Sequence, residues 1–141
     1  MITVRSLHIY PVKSCRGISL ESAAIAATGF QFDRQWMTVA PDGDFLSQRS
    51  HPALAEVVTR IEGDRLMLEA RGRSRLELAA MEPDGATRPV TVWSDRCDSV
   101  SAGPEAAEWF SSLLGTPCEL VRQPDAGVRQ VDLRYADPGD R

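Results

Sequence analysis

Long apolar runs, paired cysteines and an excess of positive charge are all missing from this chain, and each absence removes a class of function. No stretch approaches the roughly 18 uninterrupted apolar residues that a spanning helix needs. The N-terminus, Met1-Ile-Thr-Val-Arg5, has neither the basic start nor the apolar run of a signal peptide. No membrane is expected as a partner, and the expected location is cytoplasmic. Lys and Arg number 16 against 20 Asp and Glu, a formal charge of −4. That lacks the basic footprint of a nucleic-acid binder, and the small cluster Arg71, Arg73 and Arg75 does not supply one.

Cys15, Cys97 and Cys118 are odd in number, widely spaced and without a Cys-x-x-Cys pair. They indicate neither a disulfide framework nor a zinc or iron–sulfur site, and leave at most one bridge. His8 and His51 are the only histidines, so a His-rich metal site has no material, and each reads as a surface or packing residue. What is present is 141 residues with a hydrophobic share of 43%, enough for one compact domain with a real core.

Short apolar or β-branched runs separated by turn residues fill the first hundred positions, the pattern of a mainly β domain. Strands are expected near 2–9, 18–26, 34–40, 44–48, 56–62, 65–70, 74–79, 89–93 and 97–101, with a last one at 118–122. Asp42-Gly43 and Gly63-Asp64 are hairpin signals, because glycine accepts the positive φ that tight turns require. Further turns are expected at Gly72 and Asp84-Gly85. Near-even strand spacing points to an antiparallel barrel or sandwich.

One segment departs from that pattern. Pro104 through Gly115 has a proline suited to a first helical turn, early glutamates and a closing glycine, predicting a helix over about 104–114. Ala106, Trp109, Phe110 and Leu113 recur at helical spacing and form a stripe for packing against the strands. The polar tail from Gln123 to Arg141, with two prolines and two glycines, reads as a linker, leaving 1–122 as the folded domain.

Chemistry concentrates in Tyr10-Pro-Val-Lys-Ser-Cys-Arg-Gly17, a strand running into a turn that carries a cation, a hydroxyl and backbone N–H groups. Lys13 as a point charge, Ser14 as a donor, Arg16 as a fork and Gly17 for close approach are the parts of a phosphate site. Charged turns are more commonly just solvated, and the Gly-Lys-Ser/Thr order of a Walker A loop is absent. In Gly29-Phe-Gln-Phe-Asp-Arg-Gln-Trp-Met37, Asp33-Arg34 is either a plain surface ion pair or an arginine aimed at a ligand and oriented by its acid. Phe30, Phe32, Trp36 and Met37 read as core residues. Ser47-Gln-Arg49, after the Asp-Gly hairpin, is expected to return near residue 34 and to offer Arg49 either to the same pocket or to solvent. Cys15 sits among cations that lower a thiol pKa, yet it has no paired histidine or neighbouring cysteine, which favours a non-catalytic role.

These motifs in this order, with Val92-Trp-Ser-Asp95 ahead of the helix, resemble the N-terminal β-barrel domain of MOSC proteins, from about residue 2 to the end. The resemblance implies an antiparallel barrel-like fold followed by a C-terminal MOSC domain, the two together holding the molybdenum cofactor, a molybdopterin with an anionic phosphate. It places Lys13 and Ser14 at the phosphate or pterin, Arg34 beside them and Arg49 as a further candidate cofactor contact. Relatives include bacterial MOSC reductases, mitochondrial components that reduce N-hydroxylated compounds, and the C-terminal part of molybdenum cofactor sulfurases, whose separate domain uses pyridoxal phosphate. The molybdenum-ligating cysteine of the family lies in the MOSC domain, so it corresponds to none of Cys15, Cys97 or Cys118.

The chain ends about where the family passes into that second domain, so it reads as a fragment without catalysis of its own. Met1 stands directly before the barrel, which favours an oxidoreductase parent over a sulfurase-like one. The expected partners are the MOSC domain and an electron-transfer protein. Two other functions remain: a barrel that docks a substrate or partner without touching cofactor, and a sulfur carrier acting through Cys15.

Overall fold

The computed structural model describes residues 1–81, 86–124 and 133–138. Eleven strands are present there: β1 (Leu7–Ile9), β2 (Ile18–Leu20), β3 (Ile25–Ala26), β4 (Gly29–Phe30), β5 (Trp36–Val39), β6 (Val58–Glu62), β7 (Arg65–Glu69), β8 (Leu76–Ala79), β9 (Thr87–Val92), β10 (Asp95–Ser101) and β11 (Glu119–Arg122). A single helical turn spans Pro52–Glu56, and the one α-helix, α1, spans Pro104–Leu114. The mainly β, antiparallel, barrel-like class read from the sequence is the fold observed. Its strands fall into a four-stranded sheet in the order β5-β11-β10-β9, a three-stranded sheet β6-β7-β8, and the pairs β1-β2 and β3-β4. These sheets do not close into one hydrogen-bonded ring among the described residues.

Several expected strands are shorter or broken. The 18–26 stretch splits into β2 and β3, because Glu21 and Ser22 are exposed and interrupt the alternation. Only Leu7–Ile9 of 2–9 pairs, opposite Ile18–Leu20. At 44–48 a full strand is replaced by isolated bridges of Asp44 with Thr91 and Phe45 with Val39. The chain then turns at 47–51, where the Ser47 carbonyl accepts from the amides of Ser50 and His51. The Asp42-Gly43 turn forms as expected: the Gly43 amide donates to Ala40 and the Asp42 carboxylate accepts from the Asp44 amide. Gly63 (φ 59°) and Gly72 (φ 73°) occupy the turns on either side of β7, a φ that costs glycine nothing. The turn expected at Asp84-Gly85 and most of the 123–141 linker lie outside the described residues.

Helix α1 follows the sequence rules closely. Pro104 opens it, Glu105 sits in its first turn, and Gly115 at φ 68° ends it, its amide donating a hydrogen bond to the Ser111 carbonyl. Its stripe buries Ala106, Trp109 and Phe110, with Leu113 half-buried, against a core that includes Leu54, Leu66, Leu68, Leu76 and Leu120. Polar groups on this side are satisfied locally. The Trp109 indole donates to the Ser74 carbonyl, and the Arg73 guanidinium bonds both the hydroxyl and the carbonyl of Ser112. Of the aromatic run expected in the core, Trp36 is fully buried and Phe32 packs at the core edge. Phe30 is exposed instead, because the two-residue pair β3-β4 has no layer covering it.

A candidate anion cleft at the Lys13 turn

The two motifs separated by some twenty residues in sequence are laced together through backbone hydrogen bonds. Trp36 donates its amide to the Pro11 carbonyl, Lys13 donates to Trp36, and Arg34 donates to Tyr10. The Asp33 carboxylate returns the link by accepting from the Tyr10 amide at 2.7 Å. Val12 and Cys15 point into the core, which leaves Lys13 and Ser14 between them at the surface. Alternation around a tight turn thus anchors the segment by its apolar residues and presents its polar ones.

Lys13, Asp33, Arg34, Gln35, Trp36, Met37 and, from the other side, Val92, Cys97, Asp98, Ser99 and Gln123 line a cleft of about 280 Å³. The Arg34 guanidinium is held by the Asp33 carboxylate and lies 5.2 Å from the Tyr10 ring. That ring packs on Gly17, where an added Cβ would meet its Cε1 at 2.7 Å. Gly17 thus makes a close approach, but to the tyrosine beside Arg34. The arginine side chain is 58% exposed, so its ion pair with Asp33 contributes little stability and serves to orient it.

Each sequence candidate has a distinct place. Lys13 and Arg34 line the cleft together. Ser14 adjoins Lys13 at φ 72° and does not line the cleft. Arg49 is exposed, with its guanidinium 5.7 Å from the Trp93 ring and outside the cleft lining. Arg16, offered by the sequence as an anion fork, turns the other way. Its Nε donates to the Ala55 carbonyl, while its own carbonyl accepts from the Thr59 hydroxyl. Cys15 is buried, and burial pushes its thiol up to about 12, which removes the thiolate that a nucleophile or sulfur carrier needs. Cys118 is likewise raised by burial. No group of three or more His, Cys, Asp or Glu arranged for a metal occurs among the described residues.

Sequence reasoning missed the far wall of the cleft and, more importantly, Trp93. Gln123 and Asp98 reach the site only through the pairing of β5 with β11 and β11 with β10. Trp93 lies in the two-residue turn between β9 and β10, 63% exposed, with Lys13 Nζ 5.5 Å from its ring. The available signal was a large aromatic in a turn position flanked by polar residues. A further signal is visible only in the backbone: among the described residues, the non-glycine residues with positive φ are Ser14, Phe32, Arg34 and Trp93. Each lines the cleft or adjoins a residue that does. Such conformations are costly for ordinary side chains and collect where a ligand site needs a particular geometry.

The chemistry of this lining fits a phosphate-bearing cofactor at one end. Two cations from different segments face one recess, and Asp33 both neutralises and aims one of them. Asp98 adds an acceptor, so the cleft suits a ligand that carries donors as well as an anion. No described helix is long and apolar enough to cross a membrane.

Comparison with known proteins gives these features a context. Residues 1–117 match the MOSC N-terminal beta barrel domain. The chain is 34% identical over 125 residues to molybdenum cofactor sulfurase of Oryza sativa subsp. japonica, covering 86% of this chain and 15% of that protein. It is also 34% identical over 119 residues to mitochondrial amidoxime reducing component 2 of Bos taurus, covering 81% of this chain and 35% of that protein. The chain thus spans about a third or less of these relatives. Among solved structures, the solution structure of a Bordetella bronchiseptica protein superposes with a TM-score of 0.59 at 26% identity, covering 74% of this chain and 90% of that one. The match over most of its length places this chain in the MOSC N-terminal β-barrel domain family.

Proposed function

We propose that this domain grips the phosphate and pterin end of the molybdenum cofactor in a MOSC oxidoreductase that reduces N-hydroxylated compounds in the cytoplasm. In this reading a C-terminal MOSC domain supplies the molybdenum ligand and most of the substrate pocket, and the domain alone does not turn over substrate. An electron-transfer partner completes the system. The observation that carries the reading is the meeting of Lys13 and Arg34, from separate motifs, at one cleft beneath backbone of positive φ. Lys13 provides a point charge for a phosphate, and Arg34, aimed by Asp33, provides a planar fork for two oxygens. The bound cofactor supplies the redox chemistry; these residues hold and orient it. Support also comes from the names of the relatives, which include both sulfurases acting on this cofactor and amidoxime reducing components. The buried Cys15 favours gripping over sulfur carriage.

The test is cofactor retention in the protein that carries both domains. Lys13→Ala and Arg34→Ala are each expected to weaken molybdopterin binding, read as retention after gel filtration, by about ten- to a hundredfold, the equivalent of losing one charge-assisted contact of roughly 1.5–3 kcal/mol. Ser14→Ala and Arg49→Ala are expected to weaken it less. Wild-type retention in both the Lys13 and Arg34 variants would sink the assignment and leave the partner-docking reading in its place.

A further inference from the structure

We infer that Tyr10 and Gly17 are positioning residues for the anion cleft: the Tyr10 ring sets the plane of the Arg34 guanidinium, and position 17 is glycine so that the ring can lie there. The inference rests on the reading of the cleft as an anion site, and adds two residues outside its lining.

Gly17 differs in kind from the other described glycines. All of those have positive φ, a conformation that accounts for glycine without reference to any neighbour. Gly17 does not. An added Cβ there would instead meet Tyr10 Cε1 at 2.7 Å and Cζ at 2.9 Å, closer than real Cβ contacts come. Position 17 therefore supplies space, and the group that fills the space is the Tyr10 ring.

The backbone beneath that ring is pinned from the second motif. The Tyr10 amide donates to Asp33 Oδ1 at 2.7 Å, and the Tyr10 carbonyl accepts from the Arg34 amide at 2.8 Å. Tyr10 also precedes Pro11, which restricts it to extended backbone. The ring so placed lies 5.2 Å from the Arg34 guanidinium carbon. Arg34 is a long side chain, more than half exposed, and its ion pair of Nη1 with Asp33 Oδ2 fixes one point of the guanidinium. A flat ring beside it fixes the plane. A guanidinium that offers two N–H groups to two anion oxygens needs both constraints, because the fork is planar. The phenol hydroxyl makes no hydrogen bond to a described residue, so the ring rather than the hydroxyl does the positioning.

Two measurements on the chain test this. In the free protein the ring current of Tyr10 should displace the Arg34 side-chain proton resonances; Tyr10→Phe should keep that displacement, and Tyr10→Leu and Gly17→Ala should reduce it. Gly17→Ala should also lower the melting temperature, and less so in a Tyr10→Leu background, where the clashing ring is gone. The second measurement is a titration with inorganic phosphate followed at the residue 13 amide. Tyr10→Leu should weaken the Kd by roughly threefold and Arg34→Ala by about tenfold, with Tyr10→Phe close to wild type. In an Arg34→Ala background Tyr10→Leu should have no further effect, whereas in a Lys13→Ala background it should weaken binding as it does alone, the coupling expected of a residue that acts through Arg34.

Unchanged Arg34 resonances and wild-type phosphate affinity in Tyr10→Leu overturn the inference and leave the anion cleft standing. Equal weakening by Tyr10→Leu with and without Arg34 also overturns it, because the ring then acts on the fold as a whole. No saturable shift of the wild-type Lys13 amide, up to tens of millimolar phosphate, overturns both the inference and the anion reading beneath it.

Discussion

The helix-packed side of this domain and its cleft side are built on opposite terms. Around α1 the apolar stripe, the cap glycine and the turn glycines all agree with the local backbone. Polar groups there find partners in their own neighbourhood: the Ser111 hydroxyl bonds both the amide and the carbonyl of Cys118, and Arg75 pairs with Glu69 and Glu77. On the cleft side, ordinary side chains occupy positive φ at Ser14, Phe32, Arg34 and Trp93, and an indole and two cations face outward. One side is locally consistent and stabilises the fold. The other concentrates strain and charge, the signature of a surface shaped by something other than stability.

The difference can be broken most severely from the stable side. Phe110 is fully buried and stands edge to face with Trp109 at 4.9 Å. Phe110→Ala should cost about 3–5 kcal/mol through lost burial and a cavity, read as a drop in urea midpoint. Unchanged stability would mean that the helix is not the anchor of the core.

A second effect, of intermediate size, belongs to Cys15, which sits in the functional turn yet behaves as part of the core. Its thiol is raised from 9.0 to about 12 by burial, so the folded state keeps a proton that the unfolded state releases. Stability contributed by that neutral thiol is fully present below pH 9 and falls as the unfolded thiol ionises, over the window from 9 to about 12. The expected slope is up to about 1.4 kcal/mol per pH unit. Comparing urea unfolding of wild type and Cys15→Ala at pH 8 and pH 10 isolates it: the variant should lose less stability on going alkaline. A residual slope from Cys118, whose pKa is also raised, is expected in both. Equal slopes would show that Cys15 reaches solvent, and would reopen the sulfur-carrier reading.

The smallest effect sharpens the comparison from the strained side. Ser14→Gly should stabilise the domain by several tenths to about 1 kcal/mol, because relief of a left-handed serine outweighs the added chain entropy of glycine. A thermal melt checks this. A loss of stability would mean that the serine hydroxyl supports the turn by more than its backbone costs.

Much of the helix side was legible in the sequence because its signals are local. Proline, glutamate and glycine mark the ends of α1, and the 3.6-residue period marks its buried face. Hairpins read equally well where glycine supplied the turn. The strand at 44–48 did not, since it makes only single bridges, Phe45 with Val39 of β5 and Asp44 with Thr91 of β9, the latter more than forty residues away. Lys13 and Arg34 were nameable from residue chemistry and family resemblance, but not Arg16's diversion to the Ala55 carbonyl. That contact depends on the Pro52–Glu56 turn packing beneath the motif, which no spacing in 10–17 reveals.

By itself the sequence determined the mainly β class, the position of helix α1, and the residues able to carry an anion site, because periodicity, turn chemistry and charge are properties of short segments. Only the tertiary structure decided which cations share a cleft, that Cys15 is a core thiol, and that Trp93 rather than Trp36 is exposed near Lys13. Those outcomes depend on pairing between distant strands and on which face of each segment the core claims, and neither is encoded within any one segment.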